Sequence, residues 1–524
     1  MKRCFILSLF LSLFLYNVNS QDTFYFDPNS LSSEGENYFM HTVERGQTVY
    51  SISKMYDVSI ESIYRLNPGS EQFIQSGSQL KISQSKQKLI YHTIEPKETL
   101  YSVSKKYGIT GEDIIAANPG LSIQTFIIGR TIRILLNQAN TTPPTTDSAK
   151  KEEDTNDLLF KTPETKKVNA INVAILLPFG TKEKTIPGDL QSKVVEYYEG
   201  FLLALDSLKQ KKISINLQVY DTGNGVQYLQ QILQTDELKM SNLIIGGFSD
   251  EQIKLLSNFS DNHVIPYVVP FTSKNDEILK NPYLFQINTP SGYLYTKASK
   301  AFLNKYKNHN IIFLQDENTD RADFVQILKN DLSVENIPFK TVVYSSKLAI
   351  DLLSLLSFNK PNVFVPSSGK SEALLKILPP LLSLNQKQTH HLSLFGYPEW
   401  QTYDLGDYSE SLYQLHTTIY TNFYVKQDAP ETRSFYKKFL LWYGRPVINI
   451  YPKFSILGFD TGMFFIQVIN QYGTVFMPDI NSFKYNGIQT NFYYQRISNW
   501  SGFINANVFF VNYNPDLSVT KETK

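Results

Sequence analysis

Two Asp-Thr-Gly triplets, Asp221-Thr222-Gly223 and Asp460-Thr461-Gly462, each follow apolar residues. Two aspartates brought together can share one proton and activate water for peptide hydrolysis. That chemistry needs an all-β frame and a Ser/Thr-type continuation. Here Asn224 and Met463 follow instead, and Met463 opens an amphipathic helical pattern. The seven histidines, His41, His92, His263, His309, His390, His391 and His416, fall in no metal-ligand spacing such as His-Glu-x-x-His. His41 and His92 read as structural residues at strand ends, and His390-His391 as a solvated loop. Gly369-Lys370-Ser371-Glu372-Ala373 lacks the last glycine of a nucleophile elbow. Gly223-Asn224-Gly225 lacks the third glycine of a dinucleotide loop. The single cysteine, Cys4, excludes a disulfide framework and a thiolate zinc site. The residues point away from catalysis, cofactors and metals, and towards binding.

The 524 residues carry 50 Lys+Arg against 49 Asp+Glu, so no basic excess suggests nucleic acid. Lys2 and Arg3 precede an apolar run from Phe5 to Tyr16, with Val18 and Ser20 at cleavage-site positions. Residues 1–20 therefore read as a secretory signal peptide, and the cleaved chain as an exported periplasmic or cell-envelope protein without a transmembrane segment.

Residues 41–83 and 91–135 are copies of one unit. His41-Thr42 returns as His92-Thr93, Tyr50-Ser51 as Tyr101-Ser102, Tyr56 as Tyr107, and Asn67-Pro68-Gly69 as Asn118-Pro119-Gly120. Each copy predicts strand, helix, helix, strand, with Thr48 and Ser59 as helix caps and Thr110 and Asp113 at capping-box spacing.

The turns Gly46-Gln47-Thr48-Val49 and Lys97-Glu98-Thr99-Leu100, the Asn-Pro stops, and the closing Gly77-Ser78-Gln79-Leu80-Lys81-Ile82 and Gly129-Arg130-Thr131-Ile132-Arg133-Ile134 resemble the LysM family of peptidoglycan- and chitin-binding modules. The resemblance implies βααβ units at 38–84 and 89–136. It also implies a shallow groove for N-acetylglucosamine between the loop after the first strand and the loop after the second helix. The matching positions are Gly46, Gln47, Thr48, Val49, Asn67, Pro68, Phe73 and Ile74, then Thr99, Leu100, Asn118, Pro119, Phe126 and Ile127. Lys97 departs from the family glycine, which implies weaker binding by the second copy. Thr48, Thr99, Asn67 and Asn118 are equally explained as caps and helix stops.

Residues 137–170 are polar and rich in Thr, Pro, Lys and Glu, and predict a flexible tether. From 171 onward apolar strands alternate with helices, which predicts parallel sheets. Tyr198-Glu199-Gly200, Tyr220-Asp221, Gly246-Gly247, Ile265-Pro266, Phe395-Gly396 and Gly458-Phe459-Asp460, in this order, resemble the type I periplasmic binding protein fold. The resemblance implies an α/β domain at 171–524 in two lobes, with three crossings between them. Lobe one is expected at about 171–289 and 415–475, lobe two in the rest, with Phe492 to Tyr513 closing lobe two. It also implies cleft residues at Ser249, Thr272, Ser273, Ser367, Ser368 and Tyr397, although serines at strand ends serve equally as helix caps. The expected function is a non-catalytic peptidoglycan-binding envelope protein whose large domain senses a ligand or docks a cell-wall synthase or hydrolase. Alternatives are a wall-tethered receptor for amino acids or peptides and, with no acid/base pair placed for it, a cell-wall hydrolase.

Overall fold

The computed structural model describes residues 37–84, 89–136, 148–161, 166–181, 188–317, 319–386 and 391–524. The expected signal peptide, Cys4 and His390 lie outside them. In the first repeat, β1 (Tyr38–Thr42) pairs antiparallel with β2 (Gln79–Ser83), placing Phe39 opposite Ile82 and His41 opposite Leu80. Helices Val49–Tyr56 and Ile60–Leu66 lie between them. Thr48 Oγ1 accepts the Ser51 N–H at 3.1 Å, and Ser51 Oγ accepts the Thr48 N–H at 2.9 Å. Each such cap stabilises its helix by about 1 kcal/mol. The second repeat repeats the plan with β3 (Leu89–Thr93), helices Leu100–Tyr107 and Gly111–Ala117, and β4 (Thr131–Leu135). Capping boxes join Thr99 to Ser102 and Thr110 to Asp113.

The large domain is α/β, with mostly parallel sheets. The first series runs β5 (Ile171–Leu177), β6 (Ile215–Asp221), β7 (Leu243–Gly246), β8 (Tyr267–Val269) and β9 (Leu284–Gln286). The second runs β10 (Asn310–Gln315), β11 (Phe339–Val343), β12 (Asn362–Pro366), β13 (Leu392–Gly396) and β14 (Thr418–Thr421). Four strands follow: β15 (Tyr494–Arg496), β16 (Phe503–Asn505), β17 (Phe509–Tyr513) and β18 (Val519–Thr523). One seven-stranded sheet has the order β15-β16-β9-β8-β7-β5-β6, the other β11-β10-β12-β13-β14-β17-β18.

This order corrects the expected lobe limits. β14 pairs parallel to β13, so residues near 418 belong to the second lobe. β16 pairs parallel to β9, so Tyr494 to Asn505 complete the first lobe, and only Phe509 onward closes the second. The cause lies at Asp460, in the helix Phe454–Tyr472. Its carboxylate accepts the N–H groups of Ile488, Gln489 and Thr490 at 2.9, 2.8 and 3.1 Å, and holds the chain leading into β15 on the first lobe.

The expected tether is corrected too. Ser148–Asp157 is a helix, followed by a 3-10 turn at Leu158–Phe160. Leu159 is buried with Leu100, Leu121 and Ile132 of the second repeat. The repeats are also seated directly on the large domain. Trp500 lies 6.1 Å from the Tyr56 ring and 5.6 Å from the Tyr91 ring, and the Arg133 guanidinium covers its face at 4.8 Å. Units of about forty residues bury too little apolar surface alone, and a shared aromatic core supplies the rest.

Candidate functional site

The turn at Gly46 is held from beneath by His41. Its Nε2 lies 2.8 Å from Gln47 Oε1, which also accepts the Glu44 N–H at 2.8 Å, and its Nδ1 lies 2.8 Å from the Tyr56 hydroxyl. Burial holds the imidazole down at about 4, against the Gln47 hydrogen bond, so it is neutral at ordinary pH. The unfolded chain protonates His41 near 6.5 and the fold only near 4. Its contribution is therefore complete above pH 6.5 and is lost as pH falls towards 4, by about 3 kcal/mol in total. The expected result is a melting-temperature difference between wild type and His41→Gln that shrinks on acidification from pH 7 to 4. The subtraction cancels Asp460, whose carboxyl burial pushes up to about 6. A difference independent of pH would refute a neutral His41.

Gly46 sits at φ 83°, where glycine is unstrained, and packs against helix Ser291–Tyr306. A Cβ there would lie 2.6 Å from the Tyr293 ring. Gly46 and Thr48 on one wall of the first groove, and Phe73 on the other, face a cavity of about 740 Å³. Tyr50 and Ser51 of the same repeat also line it, and large-domain residues supply the rest, among them Ser273 and Asp276 after β8, Tyr293 and Tyr295, and Asp323 and Asn330 of the second lobe. The Tyr50 hydroxyl donates to Asp276 at 2.9 Å across the seam. Asn275 also lines the cavity, and its buried Nδ2 has no hydrogen-bond partner.

The other expected glycan residues fall elsewhere. Gln47 is buried beneath the turn, Val49 and Ile74 pack towards the shared core, and Pro68 is exposed. Asn67 is a structural pin: its Nδ2 donates to the carbonyls of Ile63 and Lys81 at 2.8 Å each, and its Oδ1 accepts the Lys81 N–H at 2.7 Å. Asn118 does the same with Ile114 and Arg133, fully buried.

In the second repeat the segment around 156–159 packs beside the corresponding loops. Asn156 Oδ1 accepts the Tyr101 N–H at 3.2 Å beside one wall, and the Leu159 carbonyl accepts the Ile123 N–H at 3.1 Å on the other. Leu100 is fully buried and Phe126 packs against the same cluster, Thr99 is occupied as a cap, and Ile127 and Pro119 face outward. The neighbouring Gly120 N–H donates to the Asn499 carbonyl at 2.7 Å.

The expected cleft residues do not converge. Ser273 joins the first-repeat cavity, while Ser368 lines a separate one of about 490 Å³. Ser249 caps helix Asp250–His263, and Thr272 Oγ1 accepts the Lys274 N–H at 3.0 Å. Ser367 Oγ accepts the Asp316 N–H at 2.8 Å, and buried Tyr397 donates to the Pro366 carbonyl. Neither Asp-Thr-Gly aspartate contacts the other. Asp221 accepts the N–H groups of Phe179, Thr181 and Gly223 at 3.0, 2.8 and 3.0 Å, while Asp460 binds the 488–490 turn. Sequence reasoning missed Tyr50, Asn275, Asp276, Tyr293 and Tyr295 as site residues, because they meet only through long-range packing. Among the described residues, no group of three His, Asp or Glu is placed to hold a metal, and no helix is long and apolar enough to cross a membrane.

Over 96 residues the chain is 32% identical to a Bacillus subtilis (strain 168) protein named as a sporulation-specific glycosylase, YdhD, covering 18% of this chain and 22% of that protein. It is 30% identical over 100 residues to the N-acetylmuramoyl-L-alanine amidase sle1 of Staphylococcus epidermidis, covering 18% of this chain and 31% of that protein. The chain thus spans less than a third of the length of these relatives. An ABC transporter substrate-binding protein from Sphaerobacter thermophilus matches with 13% identity and TM-score 0.43, over 68% of this chain and 97% of that one. A branched-chain amino acid ABC transporter periplasmic ligand-binding protein from Burkholderia xenovorans LB400 matches with 13% identity and TM-score 0.43, over 68% of this chain and 94% of that one. Residues 41–83 and 92–134 match the LysM domain family, and the chain carries two LysM domains.

Proposed function

We propose that this is a non-catalytic, exported cell-envelope protein that binds peptidoglycan through N-acetylglucosamine units held by the first LysM domain. The observation that carries this reading is the opening of Gly46, Thr48 and Phe73, from both groove walls, onto one cavity of about 740 Å³. Phe73 is 45% exposed, an apolar face suited to a sugar ring. The second domain serves chiefly as a spacer that seats the first. Full-length protein should co-sediment with insoluble peptidoglycan. Phe73→Ala should weaken this about five-fold, the loss of about 1 kcal/mol of ring contact. Unchanged retention would overturn the assignment of the groove. The free Asn275 Nδ2 favours a second reading, a small amino-acid-like ligand in the same cavity. A rise in melting temperature with free amino acids or peptides, lost in Asn275→Ala, would support it, and no shift with any of them would exclude it.

A further inference from the structure

Beside the first-repeat cavity lies a second one of about 820 Å³, and Tyr293 lines both. Arg45, the residue before Gly46, enters it from the repeat. Lys297, Lys300 and Lys305 enter from helix Ser291–Tyr306, and Lys524 from just after β18. Among the described residues, Glu522 is the one carboxylate side chain on its lining, and it is engaged by Lys524. Among the described residues, neither Arg45 nor Lys300 has a hydrogen bond or ion pair, and Lys297 is fixed by donating to the Ala506 carbonyl at 2.5 Å, at the third crossing between the lobes. Burial lowers both Lys297 and Lys305, and Lys305 also donates to Thr418 Oγ1 at 2.9 Å and to Asn512 Oδ1 at 2.5 Å. Like charges converging on a partly dewatered hollow raise its potential, and an anionic group entering it relieves that cost.

We propose that this basic hollow receives the carboxylate-bearing stem peptide of a peptidoglycan strand whose sugar occupies the adjoining cavity. The inference rests on the glycan reading above and deepens it. A glycan strand carries its peptides as branches from alternate sugars, so a sugar beside Gly46 brings a branch within one residue of the Arg45 side of the turn. Peptide-free chitin-type glycan would fill only the first cavity. The protein would then separate peptide-bearing wall from stripped wall.

The test uses full-length protein and two soluble glycan preparations from one source, one with its stem peptides and one stripped by an amidase, together with the free peptide. At low ionic strength the wild type should prefer peptide-bearing chains about ten-fold, the effect of two or three partly exposed ion pairs. The preference should shrink at about 1 M salt, where screening acts within about 3 Å. Lys300→Gln should reduce it about three-fold, with melting temperature and stripped-glycan binding unchanged. Arg45→Gln with Lys300→Gln should abolish it. Equal wild-type binding of both glycans would overturn the peptide seat and leave the sugar reading standing. A preference indifferent to both substitutions would place the peptide elsewhere and overturn this site. Binding of neither glycan would overturn both readings. Tight binding of the free peptide alone would show a peptide receptor independent of glycan, and overturn the coupled site.

Discussion

Gly458→Ala is expected to destabilise the protein by about 3 kcal/mol or more, and to lower its melting temperature by roughly 5–10 °C. The helix Gly188–Gln210 crosses Phe454–Tyr472 so closely that backbone meets backbone. A Cβ on Gly458 would lie 1.9 Å from the Tyr197 carbonyl oxygen, and one on Gly200 would lie 1.7 Å from that of Ser455. Neither obstacle is a flexible side chain that can rotate away. Separating the helices instead would open gaps around Phe201, Leu457 and Phe464, all fully buried in the first-lobe core. Gly200→Ala should act alike, and the double substitution should cost less than the sum, because one separation relieves both clashes. Gly188→Ala, with nothing within 4 Å of its added Cβ, is the control and should be nearly neutral. Thermal unfolding of the four variants beside the wild type decides the matter. Melting of Gly458→Ala at the wild-type temperature would mean that the helices are not held this close.

Asp460→Asn should cost about 2–3 kcal/mol despite its near-identical shape, because it leaves buried N–H groups facing an amide N–H. Each carboxylate oxygen takes two donors. Oδ1 accepts from Ile488 N and the Tyr485 hydroxyl, both at 2.9 Å, and Oδ2 from Gln489 N and Thr490 N. An amide can replace one oxygen but not both. The consequence reaches the second crossing between the lobes. Gln489 accepts the Tyr424 N–H at 2.9 Å, and Thr490 Oγ1 donates to the Asn422 carbonyl at 3.0 Å. The variant should therefore show faster hydrogen exchange at 422–424 and 485–490 as well as a lower melting temperature. Normal protection there would refute the view that Asp460 anchors this crossing.

Local features were legible in the sequence because local chemistry sets them. The two-fold repeat, the caps at Thr48, Ser59 and Thr110, and the alternating series from Ile171 follow from spacing within a few residues. What escaped was long-range. Trp500 meets Tyr56 and Tyr91 from the far end of the chain, and no periodicity links them. β14 has the same apolar pattern whichever sheet it joins. The polar stretch before 171 looked like a tether, because its charged residues outvoted Leu158 and Leu159, which anchor it. Asn67 and Asn118 stood open between sugar contact and helix stop. Their bonds to Lys81 and Arg133 show that they lock the second helix to the closing strand.

The aromatic seat around Trp500 has a mechanical meaning. A slack leash would absorb a tug on the wall polymer by uncoiling before any strain arrived at the lobes. On the glycan reading, with Tyr56 and Tyr91 wedged against Trp500, tension on a bound strand would load the turn between β15 and β16 at once.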